Sequence, residues 1–406
     1  MRRNVVITAI NTINALGLNI DECWDNLLKG KSGVKRITHF DPSELETQIA
    51  AEVPTAFAEY AKEYVKKRSA RQMTRVTQMG LVCAKEAISK NNIDTDFYQK
   101  DRCAVISGIV NAGYSSLEKS EDEKNSILKA MNNSLSAWIS LEYGFEGASY
   151  SVATACSSSA YAIALGYDMI ANDQADMVVI ASSDSVVNPE EIKGFNEIYA
   201  LSTRNDNPGL ASCPFSNERD GFVIGEGAGV MILEAENNAK TRGAKILAEL
   251  CGYGLTSEAY NIISPKEDGE GMLITMQKAL NHAGISPEEI DHINAHGTST
   301  PLNDKYETMA IKKLFKEHSA NIPVVSSKSM TGHTIGAAGV IEGAITVKSL
   351  LEQKLHPTAN LLVADPELDL DYVPNIARNH KMTYAISNSF GFGGHNATLV
   401  FKSYAV

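Results

Sequence analysis

The sequence predicts an α/β protein whose sheets are buried between layers of helices. Three observations lead there: short apolar, β-branched runs recur along the chain, helix-period segments separate many of them, and the runs are too continuous to leave one face in water. At 406 residues the chain is long enough to bury a sizeable core without disulfides or metal.

The elements follow in order. VVITAI (5–10) is the first strand, and a helix is predicted over 73–90, where Met73, Val76, Gly80, Cys83 and Ala87 recur at helical spacing. The runs CAVISGI (103–109) and SYSVATA (149–155) read as buried strands, and small residues carry a helix over 157–172. DMVVIAS (176–182) and GVMILE (229–234) complete a strand-rich block. ILAELCGYG (246–254) then restarts the alternation: helix 269–283, strand HINA (292–295), helix 304–316, strand PVVSS (323–327), helix 337–354, and the strands YAISNS (384–389) and ATLVF (397–401). The restart predicts two halves, 1–250 and 251–406.

Composition narrows the function. Lys+Arg number 37 and Asp+Glu 49, a net charge of −12, and the pI is near 5.3, which argues against non-specific binding to nucleic acid or an anionic membrane. A local basic patch could still recruit an acidic partner. The six cysteines show neither CxxC pairs nor zinc spacing, so no metal site is expected, and they read as reduced thiols of a cytoplasmic protein. No signal-peptide core follows the N-terminus, and no run of about 18 apolar residues occurs that would span a bilayer.

Four segments could carry chemistry. In SVATACSSSAYAIALG a strand ends and Cys156 follows on a tight turn at a helix N-terminus, where free N–H groups and the helix dipole would lower the thiol pKa. On this segment alone a buried, inert cysteine is an equal reading. In DHINAHGTSTPLND the strand delivers His296 into a loop of small residues, and Asn303 or Asp304 caps the next helix; His292 on the same strand illustrates the structural alternative. In PVVSSKSMTGHTIGAAGVIEGA, Lys328 and His333 lie between a strand and a helix. Glu342 interrupts that helix's apolar face and is costly there unless paired with Lys328 or a neighbouring donor. In SNSFGFGGHNATLVF a glycine-rich loop offers backbone N–H groups that could bind an oxyanion. Each follows a predicted strand, which is where an α/β fold gathers its site.

Together these motifs, with RDGFVIGEGAG (219–229), resemble the β-ketoacyl-acyl-carrier-protein synthases, the type II enzymes of fatty acid synthesis and their ketosynthase relatives in polyketide pathways. The resemblance spans nearly the whole chain. It implies a thiolase-like fold, two similar α/β halves in five αβαβα layers, the first carrying the nucleophilic cysteine and the second two catalytic histidines. It implies an acyltransferase that elongates a chain held on Cys156 by decarboxylative condensation with malonyl thioester, with His296 and His333 stabilising the enolate. Lys328, paired with Glu342, would organise the histidines. The N–H groups of Cys156 and Phe392 would form an oxyanion hole, Phe392 would gate the site, and Phe195 would line the acyl channel. Thr298, Thr300, Gly391 and Gly393 would contact substrate. Substrates would ride on the phosphopantetheine of acyl carrier protein with no other cofactor, and Lys67, Arg68 and Arg71 would dock that acidic partner. The family works as homodimers or as heterodimers with a ketosynthase-like subunit.

Other readings fit less well. A thiolase needs a second cysteine near the C-terminus, and none follows Cys251; a chain-length-factor subunit lacks the nucleophile; a cysteine hydrolase gives the second histidine and the lysine no role. Departures from the family pattern concentrate at 110–138, which is short and polar, with Glu118, Lys119, Glu121, Asp122, Glu123 and Lys124 in one stretch, and at Ser183 and Asp184. They predict a specialised acyl chain or partner, and an exposed part of 110–138.

Overall fold

A computed structural model describes residues 2–113 and 126–404. The stretch Glu118 to Lys124 therefore lies outside the described residues. Ten strands form the main sheet system. In the first half these are β1 (Val5–Ile13), β2 (Cys103–Gly108), β3 (Ser149–Val152), β4 (Met177–Asp184) and β5 (Gly227–Ala235); in the second, β6 (Ala248–Ser257), β7 (His292–Asn294), β8 (Val324–Val325), β9 (Tyr384–Gly391) and β10 (His395–Ser403).

The two sets repeat one topology. The first runs β3-β2-β4-β5-β1 and the second β8-β7-β9-β10-β6. In each, the first three neighbours are parallel and the last two pairings antiparallel. They meet where β1 pairs with β6 at Val6↔Glu249 and Ile7↔Ala248. The helices repeat too: α1 (Arg75–Lys90), α2 (Ser134–Tyr143) and α3 (Ser158–Ala171) are matched by α4 (Glu270–Ala283), α5 (Pro301–Phe315) and α6 (Ala338–Glu352).

Strand alternation sorts the side chains into layers. Cys103 and Val105 of β2 pack with α1 and α2 on one face, while Ala104 and Ile106 turn to the other face against α3 and α6. Ile293, Ile386 and Val400 of the second sheet pack with α4 and α5, whereas Ala385, Leu399 and Phe401 face α3 and α6. The result is five layers, αβαβα, with α3 and α6 buried at the centre. Their contact explains the small residues of the AAG stretch: a Cβ on Gly339 would lie 2.7 Å from the backbone nitrogen of Ala160. Ser159 Oγ of α3 also accepts the Val340 N–H of α6 at 2.9 Å.

All ten predicted strands and five predicted helices are present, most with ends shifted by a few residues. The capping expectation is corrected. Helix α5 begins earlier, at Pro301 after Thr300, because proline suits the first helical turn. Asp304 sits inside that turn, buried, and its carboxylate accepts the Phe215 N–H at 2.8 Å. No helix of the described residues is long and apolar enough to cross a membrane.

Candidate active site

The chain leaves β3 and makes a strained turn, with Ala155 at φ 49°, before α3 begins. The serines after Cys156 hold this turn together. Ser157 Oγ donates to the Thr154 carbonyl and Ser158 Oγ to that of Ala155, at 2.8 and 2.7 Å, and Ser158 Oγ accepts the Thr154 N–H. Cys156 is thereby fixed at the helix N-terminus, 4% exposed. The glycine-rich loop after β9 lies against it: a Cβ on Gly391 would meet Thr154 O and Cys156 N at 3.0 and 3.1 Å. This approach aims the backbone N–H groups of Phe392 and Cys156 at the thiol.

The expectation of a lowered thiol pKa is corrected. Burial pushes the Cys156 thiol up to about 11, against the pull of those two N–H groups and of the Lys328 ammonium, with Asp184 adding to the rise. The same N–H groups suit an oxyanion formed at the thioester carbon.

His296 and His333 converge on the thiol from the second half. One donor atom from each of Cys156, His296 and His333 lies within 4.8 Å of the others, all three residues being buried, and the two imidazole rings meet edge to face at 5.4 Å. Glu307, which the motifs did not single out, sets the His296 loop: its carboxylate oxygens accept the N–H groups of His296 and Gly297, each at 2.9 Å, and it also receives Asn388 Nδ2 at 3.1 Å. The available signal was an acidic residue at helical spacing from the apolar Ala310, Ile311 and Leu314. Burial raises this carboxyl to about 7, with the N–H bonds opposing.

The tautomers follow from the neighbours. Lys328 Nζ faces Nδ1 of His296 at 3.4 Å, and the Ile335 N–H donates to Nδ1 of His333 at 3.2 Å. Each Nδ1 accepts, so each Nε2 carries the proton. His333 Nε2 is buried without a protein partner among the described residues. Burial, together with the Lys328 charge, holds both histidines well below their ordinary pKa, so they are neutral donors at neutral pH. Cys156, His296 and His333 are the one group among the described residues with the makeup of a soft-metal site. Nδ1 protons would be needed to free Nε2 for a metal, and the Lys328 ammonium opposes a dication; the set is built to donate hydrogen bonds.

Lys328 also donates to the His296 carbonyl at 2.7 Å and is ion-paired with Glu342 Oε1, both side chains being almost fully buried. Burial pushes the Glu342 carboxyl upward and the ammonium restrains it.

A pocket of about 310 Å³ opens from this cluster to solvent. Thr298 and Thr300 line it with hydroxyls 2.9 Å apart, beside Gly391, Phe392 and Gly394. Gly393, at φ 77°, does not line it and instead donates its N–H to the Ile262 carbonyl. Phe195 is not at the pocket wall either: it stands behind Phe222, ring centroids 5.5 Å apart, in an apolar cluster that also holds Ile335 and Phe392. Phe222, Phe390, Met272, Glu258 and Asn396 also line it. Lys67, Arg68 and Arg71 are exposed on and beside the short helix Lys67–Ala70, away from the pocket lining. Arg75 of the same basic run is instead paired with buried Glu226.

Comparison with known proteins agrees with this geometry. The family model "Beta-ketoacyl synthase, N-terminal domain" matches residues 2–239, and "Beta-ketoacyl synthase, C-terminal domain" matches 247–362. The chain is 40% identical to the 3-oxoacyl-[acyl-carrier-protein] synthase 2 of Coxiella burnetii, covering 98% of both chains. It is 39% identical to the protein of that name from Vibrio harveyi, covering 100% of this chain and 99% of that one. Among solved structures, a type II polyketide ketosynthase in complex with its acyl-carrier protein aligns at a TM-score of 0.90 with 30% identity, and the ishigamide ketosynthase/chain length factor at 0.90 with 30%, both over the full length of both chains. A β-ketoacyl synthase from Burkholderia phymatum aligns at 0.88 with 31% identity over the same coverage. These matches span most of the chain, which belongs to the β-ketoacyl synthase family of condensing acyltransferases.

Proposed function

We propose that the protein is a β-ketoacyl-acyl-carrier-protein synthase that elongates a Cys156-bound acyl chain with malonyl units, in fatty acid or specialised polyketide synthesis. The observation that carries this reading is the convergence of the Cys156 thiol with two histidine donors and two backbone N–H groups. First, the Cys156 sulfur attacks the thioester carbon of an acyl carrier protein; the new C–S bond forms, the carrier thiol leaves with the proton, and the N–H groups of Cys156 and Phe392 hold the transient oxyanion. Next, the C–C bond to the carboxylate of malonyl thioester breaks. Carbon dioxide leaves, and its electron pair enters an enolate whose oxygen takes hydrogen bonds from Nε2 of His296 and His333. The enolate carbon then attacks the Cys156 thioester, a C–C bond forms, the C–S bond breaks, and the sulfur regains a proton from solvent.

Lys328 and Glu342 act as positioning residues for His296. Thr298, Thr300 and Gly391 guide the pantetheine arm, Phe392 gates the cysteine, and Gly393 holds the loop. Phe195 supports the acyl compartment from behind Phe222. Residues 1–250 form the half bearing the nucleophile and 251–406 the half bearing the histidines. The acidic carrier docks on Lys67, Arg68 and Arg71, no cofactor is used beyond its pantetheine arm, and the protein works in the cytoplasm. It pairs with itself or with a ketosynthase-like second chain; exposed Ile127, Leu128, Met131 and Leu141 support such a contact. Incubation with acyl- and malonyl-carrier thioesters should release carbon dioxide in step with β-ketoacyl product. Carbon dioxide without β-ketoacyl product, or acid release without malonyl thioester, would overturn the reading.

A further inference from the structure

Asp184 and the segment that begins at residue 110 stand out in the sequence, and the structure brings them together. Asp184 ends β4 and is fully buried. Its Oδ2 accepts the Val110 N–H at 3.1 Å and the Gly336 N–H at 3.0 Å, and its Oδ1 accepts the Asn111 N–H at 3.0 Å. One carboxylate thus ties the chain after β2 to the loop that carries His333. The approach is close: a Cβ on Gly336 would lie 2.6 Å from Asp184 Oδ2 and 3.0 Å from the Val110 nitrogen.

Between this anchor and His333 stands Ile335 at φ 48°, a left-handed conformation that a β-branched residue adopts only where its surroundings impose it. Two bonds do so. The Ile335 N–H donates to Nδ1 of His333 at 3.2 Å, and the next N–H, that of Gly336, donates to Asp184. Without the carboxylate the turn is free to relax, and relaxation swings the Ile335 N–H off the imidazole. Asp184 acts on Cys156 in the opposite sense, since its negative charge disfavours the thiolate.

We propose that Asp184 is a positioning residue for His333, holding the strained Ile335 turn so that the Ile335 N–H keeps the histidine in the tautomer that donates from Nε2. The use made of that donor rests on the condensing-enzyme reading above; the tautomer itself does not.

The test uses the full-length protein at pH 8, above the value of about 7 to which burial pushes the Asp184 carboxyl. Nitrogen-15 spectra of histidine-labelled protein, with the His333 signals assigned by their loss in His333→Ala, read the tautomer. The unmodified protein should show His333 with a bare Nδ1 and a protonated Nε2, and Asp184→Ala a mixture of the two tautomers. Asp184→Ala should also release carbon dioxide from malonyl thioester about 10–10²-fold more slowly, as a displaced donor would. It should nevertheless form the acyl adduct on Cys156 at least as fast as the unmodified protein, because a charge that opposes the thiolate is gone. Asp184→Asn keeps an acceptor for Gly336 and loses the one for Asn111, so its carbon dioxide release should fall less, by about threefold to tenfold. It carries the same test where Asp184→Ala fails to fold. A proton on Nδ1 of His333 in the unmodified protein, an unchanged tautomer and rate in the variants, or acyl loading slowed as much as carbon dioxide release overturns the proposal. Absence of carbon dioxide release from the unmodified protein removes the condensing-enzyme reading, while the spectra still decide whether Asp184 sets the tautomer.

Discussion

Lys328 Nζ lies 2.7 Å from the carbonyl oxygen of His296 and 3.4 Å from its Nδ1. One buried ammonium thus fixes both the backbone and the tautomer of a histidine 32 residues away in sequence, and Glu342 supplies its counter-charge. Lys328→Ala should lose about 2.7–4 kcal/mol of transition-state stabilisation in carbon dioxide release. It should also destabilise the fold by about 3–5 kcal/mol, since Glu342 is left buried and unpaired. A Lys328→Met, Glu342→Met double variant should regain most of the stability and none of the activity, read by denaturant melts beside decarboxylation assays.

His296 and His333 serve the enolate, whereas acyl loading depends on Cys156 and the N–H pair. His296→Ala and His333→Ala should each still form the acyl adduct, and each should lower carbon dioxide release from malonyl thioester by about 10²–10³. Normal release by both variants would refute this division.

The raised thiol pKa gives a signed pH dependence. A thiol pushed to about 11 has a thiolate fraction that climbs with pH across the neutral range. Alkylation of Cys156 by iodoacetamide should therefore rise about tenfold per pH unit from 7 to 9 without levelling. A plateau with its midpoint below pH 8 would mean a standing thiolate.

Gly391 permits the contact between the glycine-rich loop and the cysteine turn. Gly391→Ala should shift the Phe392 N–H by a few tenths of an ångström and slow acyl loading by about 10–10²-fold, given how steeply rate falls with misplacement. Its melting temperature should change little. Unaltered loading would argue against the Phe392 N–H as an oxyanion donor.

Charge reversal at Arg68 and Arg71 should raise KM for carrier-bound acyl thioester and leave KM for a short pantetheine thioester nearly unchanged. Equal effects on both would place these arginines outside carrier docking.

Much of this architecture was legible in the sequence because period is a local property. Runs such as DMVVIAS and GVMILE are buried on both faces, and the helices between them carry 3.6-residue apolar spacing. The duplication was only hinted at, since strand order depends on long-range pairings such as β1 with β6. Cys156, His296, Lys328 and His333 were legible because small and glycine residues surround them. Glu307 was not, and Phe222 was legible only as part of the motif RDGFVIGEGAG: they act through contacts with residues 11 and 111 positions away. The raised thiol pKa is not legible, because helix position can be read from sequence while complete burial cannot. No local sign in the sequence marks that Phe222 stands between Phe195 and the pocket.

In the function proposed above, Cys156 carries the acyl chain. Intact-mass spectrometry after incubation with acyl-carrier thioesters tests it most directly. The unmodified protein should gain one acyl group, mapping to the peptide that contains Cys156, and a folded Cys156→Ala variant none. An undiminished adduct on Cys156→Ala would contradict it.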